Sequence, residues 1–441
     1  MIRNFFLGFV FVSLLLSCGS TFAQPSDTNY DESRVPSYQL PEIMVDLAGH
    51  PVTELAQWEA RREEIVELFE DAVYGRTPEG QLPVRYELKE TDPNALQGLA
   101  TRKQVSVIIG DDQLRMEILM YVPNRRSADP VPVFLGLNFY GNQTVHHDPA
   151  IAINPRWMRD RPGVGIENNR ATEKSRGAYA SRWQVETILR RGYGLVTMYY
   201  GDVDPDNYQH DFSDGVHPLF YRAGQQAPDS KEWGAIGAWA WGLSRVLDYL
   251  ETDSDVDAKR VAVLGHSRLG KTALWAGATD RRFALAISNN SGCGGAALYR
   301  RCYGERVHHM IKPIGYWFCY DHRDYQKRED DLPIDQHMLL SLIAPRPLYV
   351  ASAVGDRWAD PKGEFLAAKF AGPAYELHGK SHLGDAQFPR PDQPLHTTIG
   401  YHVRSGKHDV TAYDWQQYLR FADEHLRSGV TTQGNSSNDL E

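Results

Sequence analysis

The chain has 441 residues, of which 42% are hydrophobic and 11% are aromatic. This composition is enough to bury a sizeable core and excludes disorder of the chain as a whole. The formal net charge is −10 and no long basic run is present, so we expect no nucleic-acid partner, because contacts with phosphates require concentrated positive charge.

The N-terminus has the pattern of a secretory signal peptide over residues 1–23. A positively charged start leads into the apolar run from Phe5 to Leu16, and small or polar residues follow up to Ala23, after which cleavage is simplest. An alternative is lipoprotein processing before Cys18, which would anchor the chain through that residue. No segment is long and apolar enough for a transmembrane span. We therefore expect a secreted or periplasmic protein.

The rest of the chain divides into three parts by composition. Residues 24–40 are polar and contain prolines, which predicts an N-terminal arm. The polar residues 428–441 predict a disordered tail. Between them, residues 41–427 are expected to fold as one domain, and we expect the chain to be a monomer.

From residue 55 onward, hydrophobic periodicity predicts a helix over Leu55–Tyr74 and then a sheet with an antiparallel start. The first strands lie near Val84–Leu88, Val105–Ile109 and Leu114–Tyr121. The strands that follow are predicted at Val131–Leu137, Tyr193–Tyr200, Arg260–Leu264, Ala284–Ser288, Pro347–Ala353 and Ala374–Leu377. The helices between and after them are predicted at Ser181–Arg191, Gly234–Leu250, Leu269–Gly277, Gln336–Ile343, Pro361–Phe370 and Thr411–Arg427. This alternation predicts a three-layer α/β fold with a mostly parallel central sheet.

Three cysteines remain once the signal peptide is removed, namely Cys293, Cys302 and Cys319. Their spacing contains no paired C-x-x-C units, so we expect no metal site. An exported protein can form disulfides, and one disulfide or three buried free thiols both stay open as predictions.

The stretch from Val261 to Lys271 is the most informative in the chain. An apolar strand runs into Gly265-His266-Ser267 and then into a helix, which is the pattern of the nucleophile elbow of α/β hydrolases. Such a turn lifts the serine hydroxyl above the sheet edge, where the backbone N–H of Arg268 can donate to a developing oxyanion. The second glycine of the usual motif stands one place later, at Gly270. The alternative is an ordinary strand–helix turn in which Ser267 caps the helix.

A serine nucleophile needs a histidine base and a carboxylate that orients it, and in this fold the chain order is serine, acid, histidine. His408 stands in the loop before the last predicted helix, where the base is expected, and His402 and His382 are the alternatives. Asp356 follows a predicted strand, where the acid is usually placed. The sequence therefore predicts Ser267, His408 and Asp356 as a catalytic triad.

Two cations accompany the proposed nucleophile. Arg268 follows Ser267 directly, and Lys271 lies four residues after it, on the same face of the helix. Positive charge here suits a sugar acid with several hydroxyls better than a neutral acetyl group. The alternative is a surface helix with two ordinary cations.

The motif Gly265-x-Ser267-Arg268-x-Gly270-Lys271 resembles the G-C-S-R-x-G-K signature of glucuronoyl esterases, carbohydrate esterase family fifteen. Other stretches also agree with that family, from roughly Val131 to the last helix. They are Asn138–Asn142, Tyr199–Asp206, Asp335–His337 and Ala344–Pro347. His266 replaces the cysteine of the signature. Asn290 stands where many fungal members carry a glutamate as the acid, which leaves Asp356 for that role.

The resemblance implies an α/β-hydrolase fold and no metal or organic cofactor. It also implies that Arg268 stabilises the oxyanion and that Lys271 binds sugar hydroxyls. A glutamate and a tryptophan line the sugar site in the family, and Glu305 and Trp358 are the candidates by position.

The activity implied by the resemblance is hydrolysis of the ester between (4-O-methyl)glucuronate on xylan and a lignin alcohol, through an acyl-enzyme on Ser267. Two alternatives stay open. One is a carbohydrate esterase for another acyl group, such as an acetyl-xylan esterase. The other is a non-catalytic glycan-binding protein on a hydrolase scaffold.

Overall fold

The computed structural model describes residues 25–124, 129–207, 209 and 212–427, without the side chain of Pro313. The predicted signal peptide, Cys18 and the predicted tail lie outside these residues. Among the described residues, no helix is both long enough and apolar enough to cross a membrane.

The described part of the chain contains a nine-stranded mixed sheet and a separate two-stranded hairpin. The strands are β1 Val84–Asn94, β2 Ala100–Ile109, β3 Leu114–Pro123, β4 Val131–Asn138, β5 Ile166–Glu167, β6 Arg170–Ala171, β7 Gly194–Tyr199, β8 Val256–His266, β9 Leu285–Asn289, β10 Leu348–Ala353 and β11 Ile399–Arg404. The order in the sheet is β1-β2-β3-β7-β4-β8-β9-β10-β11, and β5 pairs with β6. Pairing is antiparallel from β1 to β7 and parallel from β7 to β11.

The helices lie on both faces of the sheet. They are α1 Leu55–Phe69, α2 Ala95–Gly98, α3 Ala180–Trp183, α4 Val185–Arg190, α5 Ala235–Leu250, α6 Arg268–Thr279, α7 Val307–Ile314, α8 Gln336–Ser341, α9 Pro361–Phe370, α10 Gly372–Leu377 and α11 Ala412–Leu426. Alternate residues of a strand face opposite sides. In β4, Val133 and Leu135 pack in a cluster with α1, α5, α6 and α8, whereas Phe134 packs in a second cluster with α4 and α11. This arrangement confirms the predicted three-layer α/β-hydrolase fold.

The predicted elements differ from the structure at several places, three of which concern the central sheet and the helices beside it. The predicted strand Ala374–Leu377 is wrong, because these residues belong to α10. The segment opens with Gly372-Pro373, and proline is favoured in the first turn of a helix. The predicted helix Ser181–Arg191 is divided into α3 and α4 at Gln184, whose φ of 43° is left-handed. Strand β11 was not predicted at all, although its six residues are buried.

Of the two cysteine predictions, one disulfide or free thiols, the structure shows free thiols. Among the residues that the structure describes, Cys293, Cys302 and Cys319 are all unpaired. Burial raises the pKa of Cys302 to about 11 and that of Cys319 to about 12, so both stay protonated at neutral pH.

The four parallel strands at one side of the sheet all end at the same edge, and the residues that follow them lie there. The carboxyl ends of β8, β9, β10 and β11 are followed by Ser267, Asn290, Asp356 and His408, respectively. Ligands of open α/β sheets bind outside the carboxyl ends of the strands. The topology thus brings all four side chains to one place.

Candidate active site

Ser267 stands in a sharp turn between β8 and α6. Its φ of 59° and ψ of −130° are a strained conformation for a residue with a side chain, as expected of a nucleophile elbow. Gly265 is required there, because an added Cβ would lie 1.8 Å from the Leu269 carbonyl oxygen. A Cβ on Gly270 would lie 3.1 Å from both the Gly265 carbonyl oxygen and the Ser291 Cβ. The displaced second glycine therefore allows the helix to pack closely against the elbow.

His408 and Asp356 are joined by a short contact. His408 Nδ1 lies 2.6 Å from Asp356 Oδ2, and the Asn290 side-chain amide donates to the same oxygen at 2.7 Å. Asp356 is buried, whereas 43% of the His408 side chain is exposed, so the base faces an open cavity. Because Nδ1 is held by the carboxylate, Nε2 is the nitrogen left to exchange a proton with a nucleophile.

The two alternative histidines are placed elsewhere. His402 is buried within β11, where its Nε2 lies 3.0 Å from Asp414 and its Nδ1 lies 3.0 Å from the Tyr349 hydroxyl. His382 accepts a hydrogen bond from the backbone N–H of Gly384 in a surface loop. The contacts of both histidines are with groups outside the cavity, and of the three candidates His408 is the one that lines it.

A cavity of about 450 Å³ opens above the elbow. It brings together six of the seven predicted site residues, namely Ser267, Lys271, Glu305, Asp356, Trp358 and His408. Pro25, Asn290 and Trp317 also line it, and the sequence had not marked them as site residues. The seventh predicted residue, Arg268, is not among the described residues that line the cavity.

The Arg268 side chain packs against Trp317, which lines the cavity. Its guanidinium is 5.2 Å from the Trp317 ring and 4.8 Å from the Phe139 ring, and 19% of its side chain is exposed. One nitrogen lies 3.0 Å from the buried carboxylate of Asp206, which raises the pKa of Arg268. The hydroxyl of Tyr316 and the indole N–H of Trp317 donate to Asp206 as well. Arg268 is therefore held rigidly next to the elbow.

Lys271 extends from α6 into the wall of the cavity and is 4% exposed. Its ammonium donates to the carbonyl oxygens of Ser291 and Cys293, both at 2.6 Å, and lies 3.4 Å from Glu305 Oε2. All three ammonium hydrogens thus have acceptors within the protein. Lys271 fixes the loop after β9 and presents Glu305 to the cavity.

His266, which replaces the signature cysteine, packs against the base. The rings of His266 and His408 have centroids 4.4 Å apart. His266 Nδ1 lies 2.6 Å from Asn289 Oδ1, and Asn289 donates its amide hydrogens to Asp414 and Tyr418. Since an amide oxygen only accepts, His266 carries its hydrogen on Nδ1. Burial lowers the pKa of His266 well below its usual value, so the ring is neutral.

Glu364 lies buried beneath the loop after β9. Its Oε1 accepts from the backbone N–H groups of Ser291 and Gly292 at 2.8 and 2.9 Å, and its Oε2 lies 2.6 Å from the Ser352 hydroxyl. Burial raises the pKa of Glu364 to about 8. This carboxyl group shapes the cavity floor without lining the cavity itself.

Several residues of this site were missed by sequence reasoning. The sequence suggests no role for Asn290, although an amide next to an acid can donate a hydrogen bond to it. Asp206 lies at the end of the stretch Tyr199–Asp206, which agrees with the family motif but indicates no specific role for the aspartate. Trp317 and Pro25 gave no signal, because distant segments of the chain bring them to the cavity.

The chain is similar to esterases of known family. A family model described as glucuronyl esterase of fungi matches residues 187–379. A carbohydrate esterase from an unknown prokaryotic organism is 50% identical over 416 residues, which cover 93% of this chain and 94% of the relative.

Two solved structures are similar over almost their whole length. One is a promiscuous family 15 carbohydrate esterase from a marine bacterial metagenome, with a TM-score of 0.85 and 49% identity, covering 90% of this chain and 100% of that one. The other is a glucuronoyl esterase from Solibacter usitatus, with a TM-score of 0.84 and 48% identity, covering 89% and 99%. This chain is a carboxylic ester hydrolase and belongs to carbohydrate esterase family 15, the glucuronoyl esterases.

Proposed function

We propose that this chain hydrolyses esters of glucuronic acid or 4-O-methylglucuronic acid carried by xylan, in which the alcohol is a lignin unit. The observation that carries the proposal is the composition of one cavity. It holds a serine in a strained elbow and a histidine joined to an aspartate. Next to them lie a carboxylate and an indole, Glu305 and Trp358, which suit sugar hydroxyls and the flat face of a sugar ring.

The proposed reaction passes through an acyl-enzyme. Ser267 Oγ attacks the C6 carbonyl of the uronate while His408 Nε2 takes its proton, and Asp356 orients and stabilises the imidazolium. The backbone N–H of Arg268, at the start of α6, and the adjacent guanidinium stabilise the oxyanion. The alcohol leaves with the proton from His408. Water then attacks the acyl carbon with the same base, and free uronate and Ser267 are restored.

A second candidate is a carbohydrate esterase that accepts a wider range of acyl groups. It is supported by the ion pairs and hydrogen bonds that already occupy Arg268 and Lys271. Arg268 is paired with Asp206, and Lys271 with Glu305 and two carbonyl oxygens. Because each cation already has a partner in the protein, the two disfavour a neutral acetyl group less than free cations would. The solved relative described as promiscuous points the same way.

The test compares initial rates on benzyl glucuronate, p-nitrophenyl acetate and acetylated xylan. The proposal predicts that kcat/KM for the uronate ester is the highest of the three. A higher value for acetylated xylan would establish the second candidate instead. Glycan binding without turnover of any ester, unchanged in Ser267→Ala, would leave only the non-catalytic alternative.

We propose export without a lipid anchor. Pro25 lines the cavity, and only the six residues 19–24 separate it from Cys18. Fully extended, the seven residue steps from Cys18 to Pro25 span at most about 25 Å, so an anchored Cys18 would hold the cavity close to a membrane and away from a polymer. Cys18→Ala is expected to leave the distribution of the protein between membrane and medium unchanged. Release from the membrane on this substitution would show that the anchor exists.

A further inference from the structure

We propose that residues 25–34, here called the N-terminal strap, form part of the glycan-binding site and select substrates that carry sugars beyond the uronate. The proposal rests on the proposed function, because it assigns the part of the same substrate that lies beyond the reacting ester. The predicted N-terminal arm would then be a functional element of the cavity, with Pro25 as one of the lining residues.

The strap is fixed at three points along its length. At the first point, Asp27 accepts from His308 Nε2 at 2.9 Å and from His309 Nε2 at 3.2 Å. These two hydrogen bonds, with His309 as the larger cause, lower the pKa of Asp27 to about 2, so the carboxylate is charged at any working pH. The Asp27 carboxylate thereby holds the start of the strap against α7.

The second point involves the loop that carries Glu305. The carbonyl oxygen of Asn29 accepts from the backbone N–H of Gly304 at 2.9 Å. The carbonyl oxygen of Tyr30 accepts from the Tyr303 hydroxyl at 3.2 Å and from the Arg357 guanidinium. Arg357 also lies over the Tyr30 ring, 4.9 Å from its centroid.

The third point is an ion pair at the far end of the strap. Glu32 lies 2.6 Å from the buried guanidinium of Arg301 and 2.8 Å from the ammonium of Lys362. Arg301 is itself paired with Asp360, four residues after Asp356. The strap therefore joins the loop after β9 to the loop after β10.

Both loops carry the residues proposed to bind sugar. Glu305 directly follows Gly304, and Trp358 directly follows Arg357. The Trp358 ring also stacks on His309, with centroids 5.1 Å apart and planes at 29°. Asp27 thus holds the histidine that supports Trp358, and Pro25 lines the same cavity as Glu305 and Trp358. A uronate attached to xylan must leave the cavity on its sugar side, so the xylose residues would contact the strap.

A metal ion is an alternative occupant of the Asp27, His308 and His309 group, whose ligand atoms lie within 4.8 Å of one another. The tautomer of His309 argues against it. His309 Nδ1 accepts a hydrogen bond from the backbone N–H of Arg306 at 3.1 Å, which places the ring hydrogen on Nε2. That nitrogen therefore donates to Asp27 and is unavailable as a ligand. Dialysis against a chelator is expected to leave activity and melting temperature unchanged.

The test uses Asp27→Ala with Asp31→Ala as its matched control. Asp31 lies in the same strap, but among the described residues its carboxylate accepts hydrogen bonds only from Ser33, within the strap itself. Two substrates are compared: benzyl glucuronate and the benzyl ester of an aldouronic acid that carries xylose residues. We expect Asp27→Ala to raise KM for the xylose-bearing ester at least fivefold more than KM for benzyl glucuronate, and Asp31→Ala to change neither. Equal changes on both substrates would overturn the proposal, because they would indicate loss of structure alone.

A second variant and a binding measurement keep the proposal independent of turnover. Pro25→Gly leaves the three fixed points intact and removes only the ring that lines the cavity, so the same split in KM is expected at an unchanged melting temperature. In the Ser267→Ala background, calorimetry with the aldouronic acid should show at least fivefold weaker binding when Asp27→Ala is added. Unweakened binding would overturn the strap proposal. If the wild type hydrolyses neither uronate ester, the proposed function fails separately, and the binding result still decides the role of the strap.

Discussion

The side-chain amide of Asn290 donates a hydrogen bond of 2.7 Å to Asp356, and it does so to the same oxygen, Oδ2, that His408 contacts at 2.6 Å. Asn290 follows β9 and Asp356 follows β10, so two neighbouring parallel strands supply the acid and a donor that holds it. A fungal-type glutamate at position 290 would place a second carboxylate here. In this chain an amide occupies that place and supports a single acid.

Asp356→Asn is therefore expected to lower kcat by orders of magnitude, because an amide can neither stabilise the imidazolium nor keep His408 in the correct tautomer. Asn290→Ala should lower kcat by only about tenfold, since the acid keeps its charge and loses one hydrogen bond from a neutral amide. Both are measured as kcat on benzyl glucuronate. A nearly normal rate for Asp356→Asn would mean that another carboxylate orients the base.

Asp206 is expected to act through Arg268. Asp206→Asn removes the charge that holds the guanidinium, and we expect kcat to fall roughly tenfold with little change in KM, less than the loss of a complete oxyanion donor. Arg268→Lys should be worse, because an ammonium cannot stack between Phe139 and Trp317 as a planar group does. Asp206→Glu serves as the conservative control and should recover part of kcat. A change in KM alone would assign Asp206 to ground-state binding.

The pair of Lys271 and Glu305 separates stability from substrate binding. Lys271→Met leaves two carbonyl oxygens and the Glu305 carboxylate without their donor, and we expect a loss of about 3 kcal/mol in the free energy of unfolding. Glu305→Gln keeps a hydrogen-bond acceptor and should cost much less stability, yet raise KM for benzyl glucuronate several-fold. Denaturant unfolding and steady-state kinetics on both variants check this. Equal stability of the two variants would contradict the role of Lys271 as the anchor of the loop after β9.

Glu364 makes the stability of the protein depend on pH. Its folded pKa is raised by burial from near 4.5 to about 8, so the folded state holds this proton more tightly than the unfolded state does. The stabilising contribution is present below pH 4.5 and is lost as the pH rises towards 8, by at most about 1.4 kcal/mol per pH unit. Glu364→Gln accepts from Ser291 and Gly292 and donates to Ser352 without titrating.

The melting temperature of the wild type is therefore expected to decline between pH 5 and pH 8 more steeply than that of Glu364→Gln. The difference between the two proteins at each pH removes the contribution of all other titrating groups. Parallel curves would show that Glu364 has no raised pKa in the folded state.

Local patterns in the sequence were sufficient for most of the fold and for the elbow. Strands of the parallel sheet are short apolar runs, and the glycines around Ser267 mark a turn that no larger residue fits. Strand β11 escaped prediction because Gly400, His402 and Arg404 interrupt its apolar pattern. His402 and Arg404 can be buried because Asp414, from α11, pairs with both of them. The compensating charge lies too far along the chain for a local pattern to reveal it.

The same reason explains what was missed at the candidate site. Chain order was enough to predict Ser267, Asp356 and His408 together, and the structure places all three around one cavity, each after a parallel strand. The partners that hold the site residues come from unrelated segments. Asp206 lies more than 60 residues before Arg268, and Asp27 lies about 280 residues before His309. Contacts of this kind depend on the tertiary structure and leave no periodicity in the sequence.

Ser267 is expected to carry the glucuronoyl group during turnover. Rapid mixing of the wild type with benzyl glucuronate, followed by acid quenching and peptide mass analysis, tests it most directly. We expect a burst of benzyl alcohol stoichiometric with the enzyme, a glucuronoyl adduct on the peptide that contains Ser267, and neither of them in Ser267→Ala. Steady turnover of the ester by Ser267→Ala at the wild-type rate, with no adduct in either protein, would contradict the account.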